Sequence, residues 1–201
     1  RAHRRPIPGT DGRNVYSPDD IFDGASVAGP VLVFDDDHFY MGGVIAEALR
    51  AQGLAVTLVT PAAEVSAFAV ASLEQPYIQR QLLEKGIGIV THRTLTAIAS
   101  GAATIACTST GREQPIEAAS VVLVTARLPA DALYRELADD GAALASAGIR
   151  SLQHIGDCRN PGTIAAAVHA GHRFARTFGA EPAGDLPFRV EHIGHVAGSR
   201  A

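Results

Sequence analysis

The sequence predicts an α/β fold in which a parallel sheet carries an antiparallel β-meander, and three observations predict it. The β-branched run Val31-Leu32-Val33-Phe34 has the length and composition of a buried strand, and apolar positions Val44, Ile45, Ala48 and Leu49 follow it at helical spacing. The run from Leu54 to Thr60 reads as a second strand, and a strand–helix–strand order of this length is parallel and right-handed. Beyond it, residues 95–99 and 104–108 alternate around a turn at Gly101, which is the pattern of antiparallel pairing. Together these define a Rossmann-like sheet of the FAD/NAD(P)-binding type.

The elements follow in order. Residues 1–29 carry prolines and glycines at turn spacing without a sustained period, so they are expected to form an extended connector from a preceding part of a longer polypeptide. Residues 30–126 hold the Rossmann-like layer, with Gly53 suited to cap the C-terminus of its first helix. A second helix is expected over 74–84, stopped by Gly86, and Ile87-Gly88-Ile89-Val90 adds a third parallel strand. A polar turn at Gly111-Arg112-Glu113 leads to the apolar strand Val121-Val122-Leu123-Val124. Residues 127–201 close the chain with a helix around 131–137, a strand at 152–155, a long helix over 161–178 and a C-terminal tail.

Composition excludes several classes. The 201 residues, 47% of them hydrophobic, are ample for a packed core. Seventeen basic residues against twenty-one acidic give −4, and the basic ones are scattered singly, so nucleic acid is excluded as a partner. Cys107 and Cys158 stand far apart without a C-x-x-C, which argues against a disulfide framework, a zinc ribbon or an iron–sulfur cluster held by this chain; two buried, reduced thiols are expected. No apolar run is long enough to span a bilayer, and the Arg-rich N-terminus lacks the hydrophobic stretch of a secretion signal. No membrane partner and a cytoplasmic location follow as expectations. His169 and His172 lie three apart on a helix but lack an acid or cysteine to complete a metal set, and no G-x-S-x-G elbow supports hydrolysis.

Two strand-to-helix corners carry the chemistry. At the first, Asp35-Asp36-Asp37 stand where a dinucleotide fold places its phosphate-cradling glycines. Each carboxylate beside a phosphate costs roughly 4 kcal/mol at an intermediate dielectric. Gly42-Gly43 could still permit close approach, but the turn is long, and the second strand ends in Thr60-Pro61 without an acid for ribose hydroxyls. The architecture is therefore read as kept and the NAD(P) site as lost. Alternative roles for the aspartates are a divalent-cation site, against which their alternating directions count, or capping of the following helix. His38 and Tyr40 are expected to pack at the domain edge.

The second corner is IGDCRNPGTI. Gly156 permits backbone approach, Asp157 offers a carboxylate, and Pro161-Gly162-Thr163-Ile164 opens a helix whose free N–H groups point back toward it. This is an oxygen-rich ligand cradle, although Asp157 and Thr163 are also ordinary capping residues.

The connector RRPIPGTDGRNVYSPDDI, the unit VLVFDDDHFYMGGVIAEALRAQG, the segment VVLVTARLPADALYREL and the closing IGDCRNPGTIAAAVHAGHRFAR cover nearly the whole chain. In this combination it resembles the C-terminal region of the NADH:flavin oxidoreductase group that contains trimethylamine dehydrogenase, histamine dehydrogenase, amine demethylases and 2,4-dienoyl-CoA reductase. The resemblance implies an FAD- or ADP-binding domain interrupted by an NAD(P)-domain-like insertion. It further implies a preceding barrel bearing FMN and a 4Fe–4S cluster. It implies an adenine nucleotide as ligand, with Gly156, Asp157, Thr163 and Ile164 as cofactor-binding residues and Asp157 bonding a sugar or ribityl hydroxyl. It implies no catalytic residue in this chain, an electron-transfer partner, and a homo-oligomer for the full-length protein. Where such proteins carry an alanine–threonine–glycine crossing, this chain has Thr125-Ala126-Arg127, so Arg127 is free to contact a phosphate or a neighbouring acid. Rival readings are a docking module that binds no nucleotide and an NAD(P)H-dependent reductase domain using the 35–43 turn.

Overall fold

A computed structural model describes residues 2–180, which divide into two compact units, Arg1–Ala130 and Asp131–Ala201. The expected C-terminal tail, from 181 onward, lies outside the described residues.

In the first unit β1 (Val15–Tyr16), α1 (Pro18–Phe22), β2 (Val31–Asp35), α2 (Met41–Ala51), β3 (Val56–Val59), α3 (Gln75–Glu84) and β4 (Gly88–Val90) come in turn. The antiparallel strands β5 (Arg93–Ala99), β6 (Ala102–Cys107) and β7 (Glu113–Glu117) follow, and then β8 (Ser120–Val124). The parallel strands lie in the order β1-β8-β2-β3-β4, with Val33 of β2 opposite Leu58 on one side and Val122 on the other. β5, β6 and β7 form a separate three-stranded antiparallel sheet.

β2 is buried along its whole length because both faces of the sheet are covered, which is why its sequence is continuously apolar up to Asp35. Successive side chains point to opposite faces. Leu32 and Phe34 enter one core with Val121 and Leu123 of β8 and with Leu95 and Ile105 of the meander. Val31 and Val33 enter the other with Ile45 and Leu49 of α2 and Leu82 of α3. The unit is thus three layers: helices, parallel sheet, antiparallel sheet.

The opening segment carries more structure than an extended connector. β1 pairs in parallel with β8, Val15 opposite Val121. The start of α1 is a capping box in which the Asp20 amide donates to the Ser17 hydroxyl and the Ser17 amide to the Asp20 carboxylate at 2.7 Å. The signal, Ser17-Pro18-Asp19-Asp20, is present in the sequence as a helix start with proline at its first position.

The second unit contains α4 (Ala132–Asp139), α5 (Gly141–Ser146), a 3₁₀ turn at Gly156–Cys158 and α6 (Ile164–Thr177). The strand expected at 152–155 does not form, because a strand exists only with a partner for its backbone groups and the described residues of this unit supply none. The long helix begins at Ile164, not at 161: Thr163 sits in an extended conformation (φ −75°, ψ 159°) as its N-cap. Among the described residues of this unit none is buried.

Candidate functional site

The sheet order makes the gap between β2 and β8 the topological switch point, since the chain leaves β2 toward β3 and β4 and returns on the other side. Ligands of open α/β sheets bind outside the carboxyl ends of the strands at such a point. Here that corner is occupied by the chain itself. Asp35, the last residue of β2, is fully buried, and its Oδ1 accepts from the amides of Asp37 and His38, both at 3.2 Å. Its Oδ2 is buried without a partner. A Cβ at Gly42, in the first turn of α2, would lie 2.5 to 2.8 Å from the Asp35 carboxyl carbon, Oδ2 and Cβ. The close approach that Gly42 permits is therefore used by Asp35. Burial raises the Asp35 pKa to about 6, against the pull of the His38 and Asp37 amides.

The three aspartates do not cap α2: its N-cap, Tyr40, makes no side-chain cap bond, and Asp35 closes its own turn. Asp36 pairs with Arg5 at 2.8 Å and lies 3.7 Å from His38 Nε2. Asp37 is raised by burial and lowered by His38, by the Phe39 amide and by Arg127. His38, with φ 63°, packs edge-on against Phe68, and the Tyr40 hydroxyl donates to Glu74 at 2.5 Å.

The opening residues lie over the same corner. The His3 amide donates to Ala126 O at 2.8 Å, the Thr125 hydroxyl donates to His3 O, and Ala2 bridges Arg127. Of the two contacts open to Arg127, the structure has the acid, Asp19, at 2.9 Å. What remains open, lined by Ala2, Asp37, Met41 and Thr125 to Arg127 among others, is about 40 Å³. A cavity of that size takes a few waters, at roughly 10–15 Å³ each. A dinucleotide's diphosphate does not fit this turn as folded. The aspartates stand out in the sequence, whereas the strap of Ala2, His3 and Arg5 does not, because long-range pairings leave no local pattern.

The second corner keeps the predicted residues together. Gly156 has φ 64°, in the left-handed region glycine adopts freely. The Asp157 carboxylate accepts from the Gly162 amide at 3.3 Å, and the Thr163 hydroxyl accepts from the Ala166 amide at 3.4 Å. Ile164 opens α6 with its side chain 85% exposed. The first N–H groups of a helix lack intrahelical partners, so this end offers donors to an anion while Asp157 offers an acceptor to hydroxyls. That donor and acceptor set fits an adenine nucleotide.

Both cysteines are partly exposed, not buried as expected. Cys107 ends β6 at the polar turn, where the Thr110 hydroxyl and the amides of Ser109 and Thr110 lower its thiol to about 7. No described helix is long and apolar enough to cross a membrane.

A parallel sheet of this order with an antiparallel sheet packed on one face defines a dinucleotide-fold domain, and comparison with known proteins gives its family. Residues 16–107 match the family described as OYE-like second alpha/beta domain. The chain is 28% identical to dimethylamine dehydrogenase of Hyphomicrobium sp. (strain x), over 95% of its own length and 29% of the relative's. The structure of histamine dehydrogenase from Rhizobium sp. 4-9 superposes with a TM-score of 0.85 at 37% identity, covering 91% of this chain and 29% of that one. The 6-hydroxypseudooxynicotine amine oxidase from Pseudomonas geniculata N1 gives 0.80 at 36%, covering 89% and 26%. The chain corresponds to the C-terminal region of the trimethylamine dehydrogenase and NADH:flavin oxidoreductase family, and it spans under a third of the length of these relatives.

Proposed function

We propose that this chain is the nucleotide-domain region of a flavin-dependent oxidoreductase similar to amine dehydrogenases and demethylases. In this reading the second unit positions an adenine nucleotide, ADP or FAD, at Gly156, Asp157, Thr163 and Ile164, and the region supports electron transfer to a partner protein. FMN and the 4Fe–4S cluster belong to the part of the relatives that this chain does not span. NAD(P) is not its ligand. A cytoplasmic homo-oligomer is the assembly that goes with this reading.

The observation that carries it is the state of the second unit. α6 leaves Ile164 and Val168 85% and 54% exposed on one side, and Phe178, just past its end, is 72% exposed. α4 likewise leaves Leu133 68% exposed and buries nothing. Amphipathic helices acquire stability by burying such stripes. A unit with no core of its own is what one part of an interrupted domain looks like without the other. Bound FAD would supply redox chemistry; this chain's own groups bind and orient, with Asp157 holding a sugar hydroxyl and the start of α6 facing phosphate.

Isothermal titration of the intact protein with ADP, FAD and NADH tests the proposal. ADP or FAD is expected to bind, and Asp157→Asn is expected to weaken that binding about tenfold, as for loss of one charge-assisted hydrogen bond. Silence from ADP and FAD would favour the docking module, and NADH binding that weakens on enlarging Gly42 and Gly43 would favour the reductase reading.

A further inference from the structure

A second feature of the second unit lies beside the nucleotide corner and shares Gly156 with it. α6 has two unlike faces. Across α6 from Ile164 and Val168, the residues Ala166, His169, Ala170, Arg173, Phe174 and Thr177 line a cavity with the 153–160 segment, and the Phe178 ring packs on Phe174 at 5.5 Å. It measures about 310 Å³, within the range of small-molecule sites at roughly 300–1,000 Å³. Its walls include Arg159, Arg173, His154 and His169 and, among the described residues, no aspartate or glutamate. Neither arginine side chain has an ion-pair partner among the described residues. The acid that influences His154, Asp131, is itself held by Arg135 at 2.7 Å, and the His154 ring lies against Tyr134 at 3.8 Å.

We propose that this cavity binds the phosphate group of a phosphate monoester, gripped between Arg159 and Arg173. Arg159 from a loop and Arg173 from a helix line the same cavity, and two planar forks match the oxygens of a dianionic phosphate, which a carboxylate fills less completely. Asn160 and Gln153 supply amides for the hydroxyls of the organic part, and Phe174 with Ala166 and Ala170 supplies an apolar wall. Of the four nucleotide residues Gly156 alone lines this cavity, and none of Asp157, Thr163 and Ile164 is assigned a contact with the phosphate.

The test is ³¹P NMR titration of the intact protein with ribose 5-phosphate in 0.15 M salt, with neutral ribose, inorganic phosphate and a polyglutamate peptide as comparators. The ester is expected to bind more tightly than inorganic phosphate, and ribose added as a competitor is expected not to displace it. Arg159→Gln and Arg173→Gln should each weaken the ester about tenfold, and Arg173→Lys should recover only part of the loss, because the charge returns without the fork. Both arginines are exposed, so these variants retain the fold, which far-UV circular dichroism checks. No ester binding below about 10 mM would overturn the proposal. So would ester binding that both glutamine variants leave unchanged, or inorganic phosphate binding as tightly as the ester, which would mark an adventitious ion only. Displacement by polyglutamate at lower concentration than any ester would assign the face to an acidic protein instead.

Discussion

Replacing Asp35 by asparagine isolates the electrostatic cost of the first corner. The Asp35 carboxyl is fully buried, and burial raises its pKa from 3.8 to about 6. A group raised on folding contributes stability that is fully present below its unfolded value and is lost as pH rises through its folded value. Stability from Asp35 is therefore present below about pH 4 and gone above about pH 6, and the difference amounts to about 3 kcal/mol at 1.4 kcal/mol per tenfold. Asparagine keeps the Oδ1 acceptor for the amides of Asp37 and His38 and removes the titration. Its Nδ2 enters the place of an oxygen that has no partner, which costs about 1–3 kcal/mol at every pH. The difference between two pH values cancels that constant. Urea unfolding of both proteins at pH 4 and pH 7.5, followed by far-UV circular dichroism, is expected to show the variant gaining about 2–3 kcal/mol on the wild type between the two. A gap that stays constant with pH, or that moves toward the wild type at pH 7.5, would refute the assignment of a buried, destabilised carboxylate here.

Two further outcomes follow from the same geometry. Gly42→Ala drives a methyl group into the Asp35 carboxyl and is expected to destabilise the first unit by about 1–3 kcal/mol, a loss that Asp35→Ala in the same chain should partly restore in a double-mutant cycle read by urea unfolding. Cys107, held at about 7 by Thr110 and its neighbours, should react with iodoacetamide with a midpoint near pH 7, and Thr110→Val should move that midpoint upward toward the ordinary 8.5.

Much of the first unit was legible because its signals are local. β2, β3 and β8 are continuous β-branched runs, and such runs arise where both faces of a strand are covered. Gly101 and Gly111 mark the turns of the meander by composition alone. The second unit is less legible, and the reason is physical. Residues 152–155 have a strand's composition, but composition does not supply the neighbouring strand that a ladder requires. The predicted cradle residues do come together, because Gly156 to Ile164 are contiguous in sequence. The strap over the first corner and the basic cavity were not visible, since the strap joins Arg5 to Asp36 and Thr125 to His3 across long stretches of chain. For the cavity there was a signal, Ala166, His169, Ala170, Arg173 and Thr177 on one helical face, but only the packed loop shows that they enclose a space.

The two corners share an architecture and differ in what satisfies it. A strand-to-helix turn exposes amides that need acceptors, and in a working dinucleotide site a diphosphate meets them. In the first unit the acceptors are internal: Asp35 takes the amides of Asp37 and His38, and Asp37 takes that of Phe39. Removing Asp35 alone would not recreate a cofactor site, because Asp36 and Asp37 would still repel phosphate and the Arg5–Asp36 and Arg127–Asp19 pairs would still fix the opening residues across the crevice. The first corner is thus satisfied by groups of the chain itself. Its second corner, where Asp157 and the start of α6 remain exposed, keeps both acceptor and donors available to a ligand. That asymmetry, not the shared fold, is the reason the proposed reading assigns the nucleotide to the second unit.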